Sequence, residues 1–142
     1  LWELRGSAHV HTFSAVMCWV ACDRLARIAG LLGLQDRAEQ WRTSADGLRN
    51  TILQRAWNEA QQCFAGSLDT DEIDASVLLL HELGIVSASD ERFVATVDTI
   101  GRRLMRNGHL LRYSAPDDFG PPAVAFTICS FWLVSALVEI GE

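Results

Sequence analysis

Residues 12–31 read TFSAVMCWVACDRLARIAGL, and the placement of their polar side chains decides the fold. Through Cys22 the stretch is apolar on nearly every side; beyond it, Asp23, Arg24 and Arg27 turn it amphipathic. The next helical pattern, about 36–57, has another character. Ala38, Trp41, Ala45, Leu48 and Ile52 step by three and four, while Arg37, Glu39, Gln40 and Arg42 fall between them. That is a single apolar stripe on a wet helix. A helix wet along one side lies outside a domain, and a helix apolar around its circumference lies within it.

The alternation continues outward from this pair. The stretch EIDASVLLLHELG (72–84) is again apolar almost all round and carries Asp74 within it. Residues 90–106 return to a stripe of Val94, Val97, Ile100 and Leu104, with Ser89 or Asp90 as the start cap and Gly108 as the left-handed stop. Residues 121–141 carry FTICSFWLVSALVEI, apolar with little relief, and Pro121 and Pro122 suit a first helical turn. No convincing strand pattern is present. Alternating inner and outer helices predict an all-α chain forming part of an α/α toroid, with consecutive helices paired as antiparallel hairpins. A bundle of equivalent helices would not alternate in this way. A solenoid would show a fixed repeat, and none is found. Five helices do not close a ring, so apolar flanks at both ends predict self-association or further sequence beyond this segment.

The chain has 142 residues, the size of one domain, and is 49% hydrophobic and 21% charged, which excludes disorder by composition. A net charge of −6 argues against nucleic acid or an anionic membrane as the main partner, since either needs a basic face. No run of about 18 apolar residues is present to span a membrane. Cys18, Cys22, Cys63 and Cys129 sit in a chain that is neither small nor loop-rich, and they predict buried free thiols and a cytoplasmic location. His9 and His11 alternate as HVH, but no third ligand follows at a sensible spacing, so no metal is expected. Trp19, Phe131 and Trp132 read as core aromatics first, with stacking on sugar rings as the alternative, and Trp41 and Trp57 on the outer helix read as core packing. Ser14 and Ser130 have no evident His–carboxylate partners.

Taken in order, LWELRG (1–6), HVHTFSAVMCWVACDRLARIAG (9–30), DEIDASVLLL (71–80), DERFVATVDTIGRRL (90–104), LLRYSAPDDFG (110–120) and AFTICSFWLVSALVEIGE (125–142) resemble the C-terminal part of glycoside hydrolase family 15, the glucoamylases, glucodextranases and bacterial trehalases. The resemblance covers most of the chain. It implies an (α/α)6 toroid and makes residues 1–142 the C-terminal portion of a catalytic domain whose N-terminal half lies elsewhere. It also implies an inverting hydrolase of α-linked glucosides, with no obligatory cofactor.

In that family the Glu of the Trp-Glu motif is the general acid, which maps onto Glu3. A departing sugar alkoxide needs a proton, and a carboxyl can supply it only if it stays protonated near neutral pH. Trp2 beside it lowers local polarity and favours the neutral acid. Arg5 would oppose that shift on contact and is assigned to substrate hydroxyls or to a different carboxylate. Inversion also needs a base carboxylate roughly 6.5–9.5 Å from the acid. The resemblance puts that base just after DDFG, where this chain has Ala123, and Glu139 is too far along the helix to replace it. Asp117 and Asp118 read either as ligands for sugar hydroxyls or as helix caps, and one of them as a substitute base. Asp74 reads either as a pocket residue or as half of a structural ion pair. The segment is therefore expected to be inactive in isolation. The alternative is a non-catalytic helical module that binds carbohydrate or a protein partner, and the blandest option is a packing domain with no ligand.

Overall fold

The computed structural model describes residues 8–142. Five α-helices carry the chain: α1 (Thr12–Leu31), α2 (Gln35–Arg55), α3 (Leu80–Leu83), α4 (Glu91–Leu104) and α5 (Thr127–Ile140). A 3-10 turn, Ala75–Leu79, runs directly into α3. Two short antiparallel hairpins join the helices: β1 (Trp57–Asn58) with β2 (Cys63–Phe64), and β3 (Met105–Arg106) with β4 (His109–Leu110). No helix among the described residues is long and apolar enough to cross a membrane.

The alternation of inner and outer helices is present in the packing. α1 and α2 form an extensive antiparallel hairpin, turned at Gly33 with φ of 72°. α1 then packs on the 3-10 turn and α3, which also meet α4 and α5, so the three greasy segments are neighbours. Val16, Trp19, Ile52, Phe64, Leu80, Phe93, Ile100, Leu104, Leu110, Cys129 and Leu133 belong to one continuous core. The chain is all-α, an arc of a two-layered toroid. Asp23 ties α1 to α2 at the hairpin: its carboxylate is almost fully buried and meets Arg24 at 2.6 Å, Arg27 at 3.0 Å and Arg42 of α2 at 2.8 Å. Burial alone would raise the Asp23 pKa, but the three guanidiniums outweigh it and hold the carboxyl below the ordinary range.

Several local expectations are corrected. Asp74 is not inside a helix. It is extended (φ −133°, ψ 132°) and caps the 3-10 turn, Oδ1 accepting from the Ser76 amide at 2.8 Å, which suits the short Asp side chain better than a helix interior. Asp90 caps α4 as expected, accepting from the Arg92 amide at 2.9 Å. The buried face of α4 carries Phe93, Val97, Ile100 and Leu104 together with Thr96 and Thr99, whereas Val94 is 38% exposed at the edge of that face.

Gly108 does not end α4. The helix stops at Leu104, and Asn107 (φ 52°) with Gly108 (φ 80°) form the two-residue turn of the second hairpin, where both positions must be left-handed. Trp57 lies in β1 rather than on α2, its ring edge-on to Phe64 at 5.3 Å. Pro121 and Pro122 precede α5 by several residues and form no first turn of it. All four cysteines are free; Cys63 and Cys129 are buried as expected, whereas Cys18 is exposed and Cys22 only partly covered. Burial pushes both the Cys63 and the Cys129 thiol up to about 11.

The greasy helices are covered on one side only. α5 buries Cys129, Leu133 and Ala136 but leaves Phe131 64%, Val134 57% and Val138 67% exposed. α1 likewise presents Met17, Leu25 and Ile28. Phe131 is thus not the core aromatic that its setting in the sequence suggests.

Candidate functional site

One cleft of about 170 Å³ opens where three chain segments meet: the start of α1, residues 66–76 and residues 112–117. The backbone builds it by zipping residues 10–12 against 66–68. The Leu68 amide donates to the Val10 carbonyl at 2.9 Å, and the Thr12 amide donates to the Gly66 carbonyl at 2.8 Å. The fully buried Thr12 hydroxyl adds a bond to the Ala65 carbonyl at 2.7 Å. A Cβ on Gly66 would stand 2.7 Å from Asp74 Cβ, so only glycine lets residue 66 lie against Asp74. On the other side Asp74 pairs in backbone register with Tyr113, and the Ala75 amide donates to the Arg112 carbonyl at 2.7 Å.

The side chains divide the cleft wall into two polar groups. In the first, Arg112 Nε donates to Asp74 Oδ2 at 3.3 Å, and the Tyr113 hydroxyl donates to Asp117 Oδ2 at 2.7 Å. Asp117 also accepts from the Phe119 amide at 2.8 Å, and its backbone exchanges two bonds with Gly120. The Tyr113 hydroxyl and the Phe119 amide hold the Asp117 carboxyl below its ordinary range. Burial, and then the Asp117 carboxylate, push Tyr113 up to about 12. This cluster stays negative on Asp117 and protonated on Tyr113 across the neutral range. In the second group the Ser67 hydroxyl lies 3.1 Å from His11 Nδ1 and donates to Glu72 Oε2 at 3.3 Å. Phe13, Ile73 and Pro116 give the same cleft an apolar lining. Polar groups able to donate and accept, set against apolar faces, match the two kinds of surface that a pyranose ring carries.

Of the sequence-predicted residues, Asp74 and Asp117 are brought together in this cleft. Asp117 braces its own loop and does not cap α5, whose N-cap is Phe126, and Asp74 is both cap and ion-pair partner. Asp118 is exposed and outside the cleft lining, as is Ala123. Glu139 sits away from the cleft, 3.4 Å from His81 Nε2. Trp2, Glu3 and Arg5 lie outside the described residues. No group of three or more His, Cys, Asp or Glu side chains that could hold a metal occurs among the described residues, and His9 is exposed beyond the cleft.

Sequence reasoning passed over Arg112, Tyr113, Ser67 and Glu72. The first two stand directly beside the DDFG motif in LLRYSAPDDFG, which was a usable signal. Ser67 belongs to no helix pattern and Glu72 only opens the third one; backbone bonds between distant segments bring Ser67 to the cleft, and the Gly66 amide ties Glu72 beside it.

The comparisons with known proteins agree with this architecture. The sequence profile described as glycosyl hydrolases family 15 matches residues 1–141, and the chain belongs to that family. It is 41% identical to a trehalase of Mycolicibacterium smegmatis over its whole length and 30% identical to a trehalase of Thermoplasma volcanium over 97% of it. In each case it spans 22% of the relative's length. Among solved structures, a wild-type glycosidase superposes with a TM-score of 0.78 at 16% identity, covering 94% of this chain and 35% of that one. A variant glycosidase in complex with glucose gives a TM-score of 0.79 at 16% identity, with the same coverage. These structures bear on the fold.

Proposed function

We propose that this chain is the C-terminal portion, residues 1–142, of the (α/α)6 catalytic domain of an inverting glycoside hydrolase acting on α-linked glucosides. The cleft carries the reading: an ion pair (Asp74–Arg112), a charge-assisted hydrogen bond (Tyr113–Asp117) and an apolar wall converge on one opening. The coverage of the trehalase relatives supports placing the rest of the domain in other sequence. In this mechanism Glu3 protonates the glycosidic oxygen while water attacks the anomeric carbon from the opposite face. Trp2 shields the acid, and Arg5, Asp74 and Asp117 hold sugar hydroxyls, with Asp118, outside the cleft lining, reaching only a part of the substrate that extends beyond it. Ala123 stands where the base is expected, and an alanine cannot polarise water, so the segment does not turn over in isolation. We place the protein in the cytoplasm on the strength of its free cysteines. The uncovered faces of α1 and α5 support self-association of the isolated segment.

The test assays the complete gene product on trehalose, maltose and isomaltose, and repeats the assay with Ala123→Glu. Hydrolysis that is slow in the parent and rises at least a hundredfold in the variant supports a hydrolase lacking its base. Tight sugar binding with no gain from the added Glu favours the second reading, a carbohydrate-binding module, which Ala123 itself recommends. A product that neither binds nor cleaves glucosides ends both.

A further inference from the structure

We propose that His11 is a specificity-determining sugar ligand in this cleft, with Ser67 and Glu72 as the residues that position its ring; the inference rests on the reading of the cleft as a glucoside site. His11 and Ser67 face each other in the backbone zipper, so their side chains are held in register by main-chain bonds on both sides. Ser67 is fully buried, and its hydroxyl touches both His11 Nδ1 and Glu72 Oε2. An ionised carboxylate only accepts, so the one hydroxyl proton goes to Glu72 and a Ser67 lone pair faces the ring. Neutral His11 then carries its hydrogen on Nδ1, and Nε2 is left as an acceptor on a side chain that lines the cleft. Glu72 is itself fixed through its carbonyl, which accepts from the Gly66 amide at 2.7 Å.

A second observation points to a ligand at the same place. Ser14, in the first turn of α1, also lines the cleft. Its buried hydroxyl has no hydrogen-bond partner among the described residues. A buried hydroxyl without a partner is costly. Sugar hydroxyls donate and accept at once, so one pyranose edge can serve the His11 acceptor and the Ser14 hydroxyl together.

The experiment measures trehalose and maltose affinity by calorimetry on the complete gene product, with thermal melts alongside. His11→Ala is expected to weaken binding about tenfold, and His11→Gln, which keeps an acceptor, to recover part of it. Ser67→Ala is expected to weaken binding several-fold in the parent and no further in the His11→Ala background, while lowering the melting temperature in the parent. A purely structural role predicts the stability loss without this coupling in affinity. Unchanged affinity in folded His11→Ala, or an equal Ser67→Ala effect in both backgrounds, overturns the inference and leaves the glucoside reading standing. If His11→Ala does not fold, His11→Gln carries the comparison, and wild-type affinity there with no Ser67 coupling counts against the proposal. A parent that binds neither sugar sinks the glucoside reading, and this inference with it.

Discussion

Asp23 shows how one side chain can be misjudged from sequence. It looks like the first wet position of α1, yet it is buried, and three arginines surround it. Its folded pKa lies below the ordinary 3.8, so its stabilising contribution is complete above the usual carboxylate range and is lost as pH falls through the lowered value. Asp23→Asn is expected to cost about 2 kcal/mol at neutral pH and to flatten the acid limb of the stability curve, which urea melts from pH 7 down to 2 will show. Gly66 is the second sensitive residue. Gly66→Ala drives a Cβ against Asp74 and is expected to destabilise by about 1–3 kcal/mol while weakening sugar binding, because Asp74 and its Arg112 partner must move.

At the scale of elements, the stripe and the caps carry most of the information. α4 was legible because Asp90 caps it and its apolar positions recur with helical period. Phe93, fully buried and 5.8 Å from the His81 ring, locks α4 against α3. Phe93→Ala is expected to cost about 3–5 kcal/mol, read from the denaturant midpoint, and it costs more than any exposed substitution on the same helix. The hairpins were not legible. Two-residue strands have too few positions to show alternation, and the Asn107–Gly108 turn carries the same glycine signal as a helix stop. The third helix was read too long for a related reason: apolar periodicity cannot tell a 3-10 turn from the α-helix it enters.

For the whole molecule, the decisive feature is an arc whose greasy helices are covered on one face. The isolated 142-residue chain is expected to associate in a concentration-dependent manner by light scattering after size exclusion. Phe131→Lys together with Val138→Lys is expected to shift it toward monomer with little change in melting temperature, since both positions are exposed. A parent chain that stays monomeric at high concentration contradicts the proposal.

The amino-acid order by itself determined the helical class, the inner and outer layers, and the family, because these depend on hydrophobic period and on motifs local to the chain. The cleft was decided only by tertiary structure. His11, the Ser67–Asp74 segment and Arg112 are far apart in sequence, and the bonds that join them run between backbone segments whose pairing leaves no periodic trace. Local chemistry writes a pattern into neighbouring residues; a contact between distant segments depends on closure of the chain around a shared core.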